Sequence, residues 1–185
     1  MDSTCADNTV IIFLADNGWD ALHGQKRNRS KLSPYELGVR TPMFVRWPAK
    51  VKPLRDDQTL ASIVDFAPTI LKLAGAKAPT GLPGLDLLDR DAMTAREAVF
   101  VEAYTHDIAD LKDPSKSLTA SAVVSGPLKL LVPGPAHPDR KFSSAPTTPE
   151  LFDLIADPLE TKNLAAARPD DVKRLQALLP VIGRK

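Results

Sequence analysis

Val10-Ile11-Ile12-Phe13-Leu14-Ala15-Asp16-Asn17-Gly18 is the stretch on which the fold turns. Six apolar residues run without alternation and stop abruptly at an acid, an amide and a glycine. A strand-length run with no polar face predicts a strand buried on both sides, as in a central parallel strand covered by helices. The carboxyl end of such a strand is where open α/β sheets bind ligands. Asp16 and Asn17 set a carboxylate and an amide oxygen side by side there, a donor pair suited to a hard cation such as Ca²⁺ or Mg²⁺. Asp-Asn-Gly is also what a strand-ending turn prefers, and the tripeptide alone is read more simply as that turn.

Downstream, residues 19–42 are polar and basic without clear periodicity, a loop long enough to be functional or disordered. It carries Lys31, Tyr35, Glu36, Gly38 and Arg40. A lysine and an arginine beside a cation site suit an anionic group, Lys as a point charge and Arg as a fork. A solvated basic loop is the plainer reading, and Glu36 with Arg40 reads as an ion pair holding it. Met43 to Trp47 is a second short strand, closed by Pro48. Thr59 to Gly75 reads as a helix, with Ile63, Phe66, Ala67, Ile70, Leu71 and Ala74 at helical spacing and Gly75 as its stop. Pro68 kinks it or marks a new start. Asp65 reads as a helix cap or a buried hydrogen-bonding group.

Residues 77–91 are a Pro/Gly-rich connection, Glu97 to Ala103 a third strand, and residues 104–118 a second irregular stretch. Beyond them the pattern changes. Ala120 to Val124 and Leu128 to Val132 flank Ser125-Gly126-Pro127 as an antiparallel pair. Leu151 to Leu154 is a short strand, Asp157-Pro158 a turn, and Asp170 to Leu179 an amphipathic helix carrying Val172, Leu175, Leu178 and Leu179. A soft boundary is expected near residue 110, with residues 1–110 part of an α/β sheet and 111–185 a small antiparallel sheet with a closing helix. The fold class is therefore α/β, a mixed sheet with covering helices plus a small C-terminal α+β unit. Three parallel-type strands and one good covering helix do not complete such a sheet. Unpaired strand edges and apolar faces are expected to stay exposed in this chain.

Composition narrows the partners. Twenty-four Lys and Arg against 23 Asp and Glu leave a net charge of +1, which argues against a nucleic-acid or anionic-membrane binder. No apolar run approaches the ~20 residues that span a bilayer. A single cysteine, Cys5, excludes an internal disulfide and a Cys-rich zinc site. The 17 prolines, roughly twice the average share, predict fixed turns and not a helical bundle. The first eight residues lack the charged-then-apolar layout of a signal peptide.

Taken in order, Val10 to Gly18, Ser30 to Pro42 and Val45-Arg46-Trp47-Pro48 resemble the sulfatase family of the alkaline-phosphatase-like superfamily. So do Ile63 to Leu71 with Leu73-Ala74-Gly75, Gly81-Leu82-Pro83-Gly84, Leu128-Lys129-Leu130, Glu150 to Leu154, and Asp157 to Leu164. No single motif is decisive, whereas the ordered set covers almost the whole chain. The resemblance implies hydrolysis of sulfate esters. It implies that Asp16 and Asn17 are ligands of a divalent metal, usually Ca²⁺, and that Lys31, five residues before Glu36, contacts the sulfate. A metal and an ammonium together neutralise such an ester and stabilise the departing oxygen.

The family's nucleophile is a formylglycine made from a Cys/Ser-x-Pro/Ala-x-Arg motif. Cys5 is followed by Ala6-Asp7-Asn8-Thr9, so it is read as an incidental thiol. The upstream metal-binding aspartates are missing as well. The expectation is a C-terminal portion, inactive alone and needing a missing N-terminal half. Leu37 stands where the family usually has a glycine, which is expected to shift the loop. His23, His106 and Trp19 are candidate substrate contacts by their place on the loops; exposed histidines and a loop-packing tryptophan are the plainer reading, and Asp107 beside His106 adds some interest. The implied partner is a sulfated small molecule or polysaccharide. A phosphoesterase or phosphonate-ester hydrolase of the same superfamily is the nearest rival, and a non-catalytic binding module the more distant one. Relatives are generally periplasmic, secreted or lysosomal; the localisation of this chain is left open.

Overall fold

The four-stranded antiparallel sheet at the centre of the molecule grows from a two-residue turn. Ser125 and Leu128 pair across Gly126-Pro127, aligning β4 (Leu118–Ser125) with β5 (Leu128–Pro133). β6 (Glu150–Asp153) adds on the far side of β5, and β3 (Val99–Tyr104) on the far side of β4, giving the order β3-β4-β5-β6. These are the elements of a computed structural model that describes residues 3–19, 29–136 and 145–180.

The sheet is covered on both faces. Val123, Leu128, Leu130 and Leu151 point to one side, where α5 (Pro169–Leu178) lays the fully buried Leu175 against them. Pro169 in the first turn suits a helix start, because its missing N–H is one that has no helical partner anyway. The opposite face carries Ala122, Leu131 and Phe152, closed by Tyr35 from the long loop. β4 is buried along nearly its whole length. Its small residues Ala120, Ser121 and Ala122 let covering groups approach on both sides. The hairpin, β6 and the terminal helix all lie where the sequence put them.

The expectation of parallel strands is corrected. β1 (Ile11–Leu14) pairs antiparallel with β2 (Met43–Arg46) as an isolated ribbon, Phe13 opposite Phe44. β3 pairs antiparallel with β4. The four-stranded sheet thus straddles residue 110, with the expected boundary inside the loop between β3 and β4. An apolar run says nothing about strand direction. Nor is β1 buried on both faces: its residues alternate between exposed and half-buried. Phe13 and Phe44 stack at 4.8 Å between centroids yet remain 49% and 52% exposed. Exposed apolar faces were expected of this chain, and here is one.

The predicted helix at 59–75 is shorter than its periodicity. A 3-10 turn at Ile63–Asp65 runs into α3 (Phe66–Leu73), and Gly75, at φ 68°, follows its end. Pro68 sits in the first turn and so marks a start, not a kink. Asp65 has the structural role expected of it. Its carboxylate is fully buried, accepts the backbone N–H groups of Ser62 (2.7 Å) and Leu85 (2.8 Å), and pairs with Arg96 through both oxygens at 2.7 and 2.5 Å. Burial alone would push this carboxyl up; the guanidinium and the two N–H groups outweigh it and hold it below the usual range. Three short helices escaped the sequence reading: α1 (Ser3–Asp7), α2 (Glu36–Val39) and α4 (Arg90–Thr94). Four or five residues are too few to display a 3.6-residue period. Among the described residues no helix is long and apolar enough to cross a membrane.

Candidate functional site

β1 ends at Leu14, and the next residues are sewn onto the long loop. The Ala15 N–H donates to Thr41 Oγ1 at 3.1 Å, and the Gly18 N–H donates to the Gly38 carbonyl at 2.8 Å. Both glycines are required by the closeness of the seam. A Cβ on Gly18 would lie 2.6 Å from the Leu37 carbonyl oxygen; one on Gly38 would lie 2.4 Å from that of Ser30. Contact therefore runs without interruption from the Asp16-Asn17-Gly18 turn, through Gly38, to Ser30, the neighbour of Lys31.

Asp16 is exposed at this turn and Asn17 half-buried. The Asn17 amide nitrogen donates to the Gly18 carbonyl at 2.7 Å, leaving its Oδ1 as the atom a cation would meet. Two hard oxygen donors fit Ca²⁺ or Mg²⁺, but they are a fraction of the six to eight that Ca²⁺ takes. Among the described residues no cluster of three His, Cys, Asp or Glu side chains is placed to hold a metal. Lys31 is exposed on the same loop, just before Leu32, whose backbone is left-handed at φ 69°. Leu37 lies within α2, and the left-handed backbone of this loop is at Leu32.

Of the other candidates, His106 and Trp19 are described and are not bonded to this group. His106 is exposed, with Nδ1 3.4 Å from an equally exposed Asp107 carboxylate, in the loop between β3 and β4. Trp19 is exposed directly after the turn. Among the described residues no hydrogen bond or ion pair joins either of them to Asp16 or Asn17. His23 lies outside the described residues. Cys5 is exposed, at a distance in sequence from any arginine that would complete the nucleophile motif.

What sequence reasoning missed is the support beneath the loop. Glu36 does not pair with Arg40. Its Oε1 meets Lys129 Nζ at 2.8 Å, and the same ammonium lies 3.1 Å from Glu160 Oε1. Lys129 and Glu160 are fully buried. The other Glu160 oxygen accepts the Glu36 backbone N–H at 2.6 Å. Burial pushes the Glu160 carboxyl up, against the pull of Lys129 and the Glu36 N–H. Next to it, Arg29 donates to the Glu160 carbonyl, lies 3.4 Å from Glu150 Oε2, and stacks 4.0 Å over the Tyr35 ring. The Tyr35 hydroxyl donates to Glu150 at 2.8 Å, and burial, with that bond, raises its pKa. One signal was available: Lys129 stands among Leu128, Leu130 and Leu131 in a strand, and a buried ammonium must find carboxylates.

Residues 24–179 match the family model described as N-sulphoglucosamine sulphohydrolase, C-terminal. Among curated proteins the chain is similar to an N-acetylgalactosamine-6-O-sulfatase of Bacteroides thetaiotaomicron, 31% identical across 94% of this chain and 36% of the relative. It is also similar to human arylsulfatase A, 30% identical across 93% of this chain and 37% of that enzyme. A solved structure from work on glycosaminoglycan metabolism by Bacteroides thetaiotaomicron superposes with a TM-score of 0.67 at 29% identity, over 95% of this chain and 38% of the other. The chain spans little more than a third of the length of these proteins.

Proposed function

The chain belongs to the sulfatase family as a C-terminal portion, and from that premise we propose that it supplies part of the active site of a sulfate-ester hydrolase. Asp16 and Asn17 hold a divalent cation, Ca²⁺ or Mg²⁺, and Lys31 binds the sulfate group. The seam from Gly18 to Gly38 is the observation that supports this most, because it sets the two oxygen donors against the loop that bears the ammonium. The bound cation would supply Lewis-acid polarisation of a sulfate oxygen. The residues of this chain contribute orientation and charge: Lys31 offsets the negative charge of the ester, and the Gly18–Gly38 bond fixes the turn relative to it. The nucleophile is not among these residues. No Cys/Ser-x-Pro/Ala-x-Arg sequence occurs between Met1 and Lys185, so no step is assigned to a formylglycine here.

The proposed substrate class is a sulfated sugar, as the names of the sulfatase relatives suggest. The proposed partner is an N-terminal half, which would also cover the apolar faces of the β1–β2 ribbon and α3. The purified chain is expected to show no turnover of an aryl sulfate above buffer. Co-expressed with the N-terminal portion of the Bacteroides relative, it is expected to restore hydrolysis that falls at least about 100-fold on Lys31→Ala, the usual effect of deleting one charge-stabilising group. Turnover indifferent to Lys31→Ala and Asp16→Ala would contradict the assignment.

A further inference from the structure

We propose that Glu160 and Lys129, through Glu36, are positioning residues that hold the Lys31 loop and the Asp16–Asn17 turn in one fixed arrangement. The proposal deepens the functional reading and rests on it for its catalytic meaning. Lys129 rises from β5 on the face that the loop covers, beside Leu131 and Phe152. It bridges Glu36 on the loop and Glu160 after β6, residues otherwise 124 positions apart in sequence. The loop is gripped on both sides of Lys31. Arg29 anchors the approach through Glu150 and the Glu160 carbonyl; Tyr35 and Glu36 anchor the exit through Glu150, Glu160 and Lys129. Glu160 itself is held in left-handed backbone, φ 54°, a conformation that a non-glycine residue adopts at a cost. Two residues along α2 from Glu36 stands Gly38, whose carbonyl takes the Gly18 N–H.

Stability alone is a poor reason for such a cluster. Well-packed apolar residues of the same volume often serve equally well or better than a buried ion pair. Directional contacts, by contrast, fix a segment at defined atoms. Lys31 is outside the grip, exposed and available to an anion, while the backbone on either side of it is fixed.

The test is amide hydrogen exchange of the full chain, wild type against Glu160→Gln and Lys129→Met, with Glu36→Gln as a milder variant should either fail to fold. The probes are the N–H groups of Gly18, Glu36 and Gly38, compared with those of β4 and β5. The expected result is at least about a tenfold acceleration at the three loop and turn amides with the sheet amides unchanged, the signature of a local opening. Lys129→Arg is expected to recover part of the protection. Uniform acceleration of loop and sheet would reduce the cluster to a general structural role, and unchanged loop amides would remove it; both overturn the proposal. A parallel titration with Ca²⁺ separates the two readings. Absence of Ca²⁺ binding by the wild type, with the local loosening present, would sink the functional reading and leave the positioning intact.

Discussion

Two halves of the molecule use the same kinds of residue in opposite ways. In the four-stranded sheet the apolar side chains face inwards, and Val123, Leu130, Leu151 and Leu175 are fully buried between β-strands and α5. Around α3 the polarity is reversed. Asp65 and Thr69 are the buried residues, while Ile63, Ala67, Ile70 and Ala74, spaced to share one helix face, are exposed. The β1–β2 ribbon behaves like α3, with Ile11, Phe13 and Phe44 open to solvent. The sheet half completes its own core; α3 is held by hydrogen bonds and by the ion pairs of Asp65 with Arg96 and Lys72 with Asp86, and both it and the ribbon present apolar surface. Isolated exposed leucines are ordinary, but a continuous apolar helix face is not.

The contrast can be tested in order of size. Asp65→Asn leaves the nearly buried Arg96 guanidinium unpaired and takes an acceptor from Ser62 or Leu85, so a loss of about 3–5 kcal/mol is expected by chemical denaturation. Leu130→Ala in the sheet should cost about 2–5 kcal/mol by the same measurement, through lost burial and the cavity left behind. Thr69→Val keeps the shape of the side chain but strips the Leu87 N–H of its acceptor, now at 2.8 Å; about 1–3 kcal/mol is expected. Ile70→Ser on the open face should change stability by no more than about 0.5 kcal/mol and improve solubility. An Ile70→Ser loss as large as that of Leu130→Ala would break the contrast, for it would mean that the α3 face is covered.

Acid acts on Asp65 and Glu160 in opposite senses. Asp65 has a lowered pKa when folded, so its contribution is complete above the ordinary aspartate range and is lost as pH falls through the folded value. Glu160 is raised; its contribution is present below the ordinary glutamate range and declines as pH rises through its folded value. Wild type is therefore expected to lose stability on acidification by a step that Asp65→Asn lacks, read from denaturation midpoints across the acid range.

Much of the sheet half was legible. Gly126-Pro127 between two apolar runs announces a hairpin, and Val172, Leu175 and Leu178 announce the helix that closes it. The direction of β1 and β3 was not, because the apolarity of runs such as Val10 to Ala15 carries no information on which way a neighbouring strand pairs. The most apolar strand also turned out to be less buried than β4, whose alanines and serines look modest in sequence. At the candidate site, Asp16, Asn17 and Lys31 were picked out by their order along the chain, while the contact that relates them depends on two glycines 20 residues apart. Lys129 was conspicuous as a charge among leucines, but nothing local names Glu36 and Glu160 as its partners.

The turn after β1 is proposed as a cation site, and the decisive experiment is calorimetric titration of the purified chain with Ca²⁺. One saturable site in about the millimolar range is expected, as suits an incomplete set of oxygen ligands, abolished by Asp16→Ala and untouched by Ile70→Ser. No binding heat, or the same heat from Asp16→Ala, would contradict it.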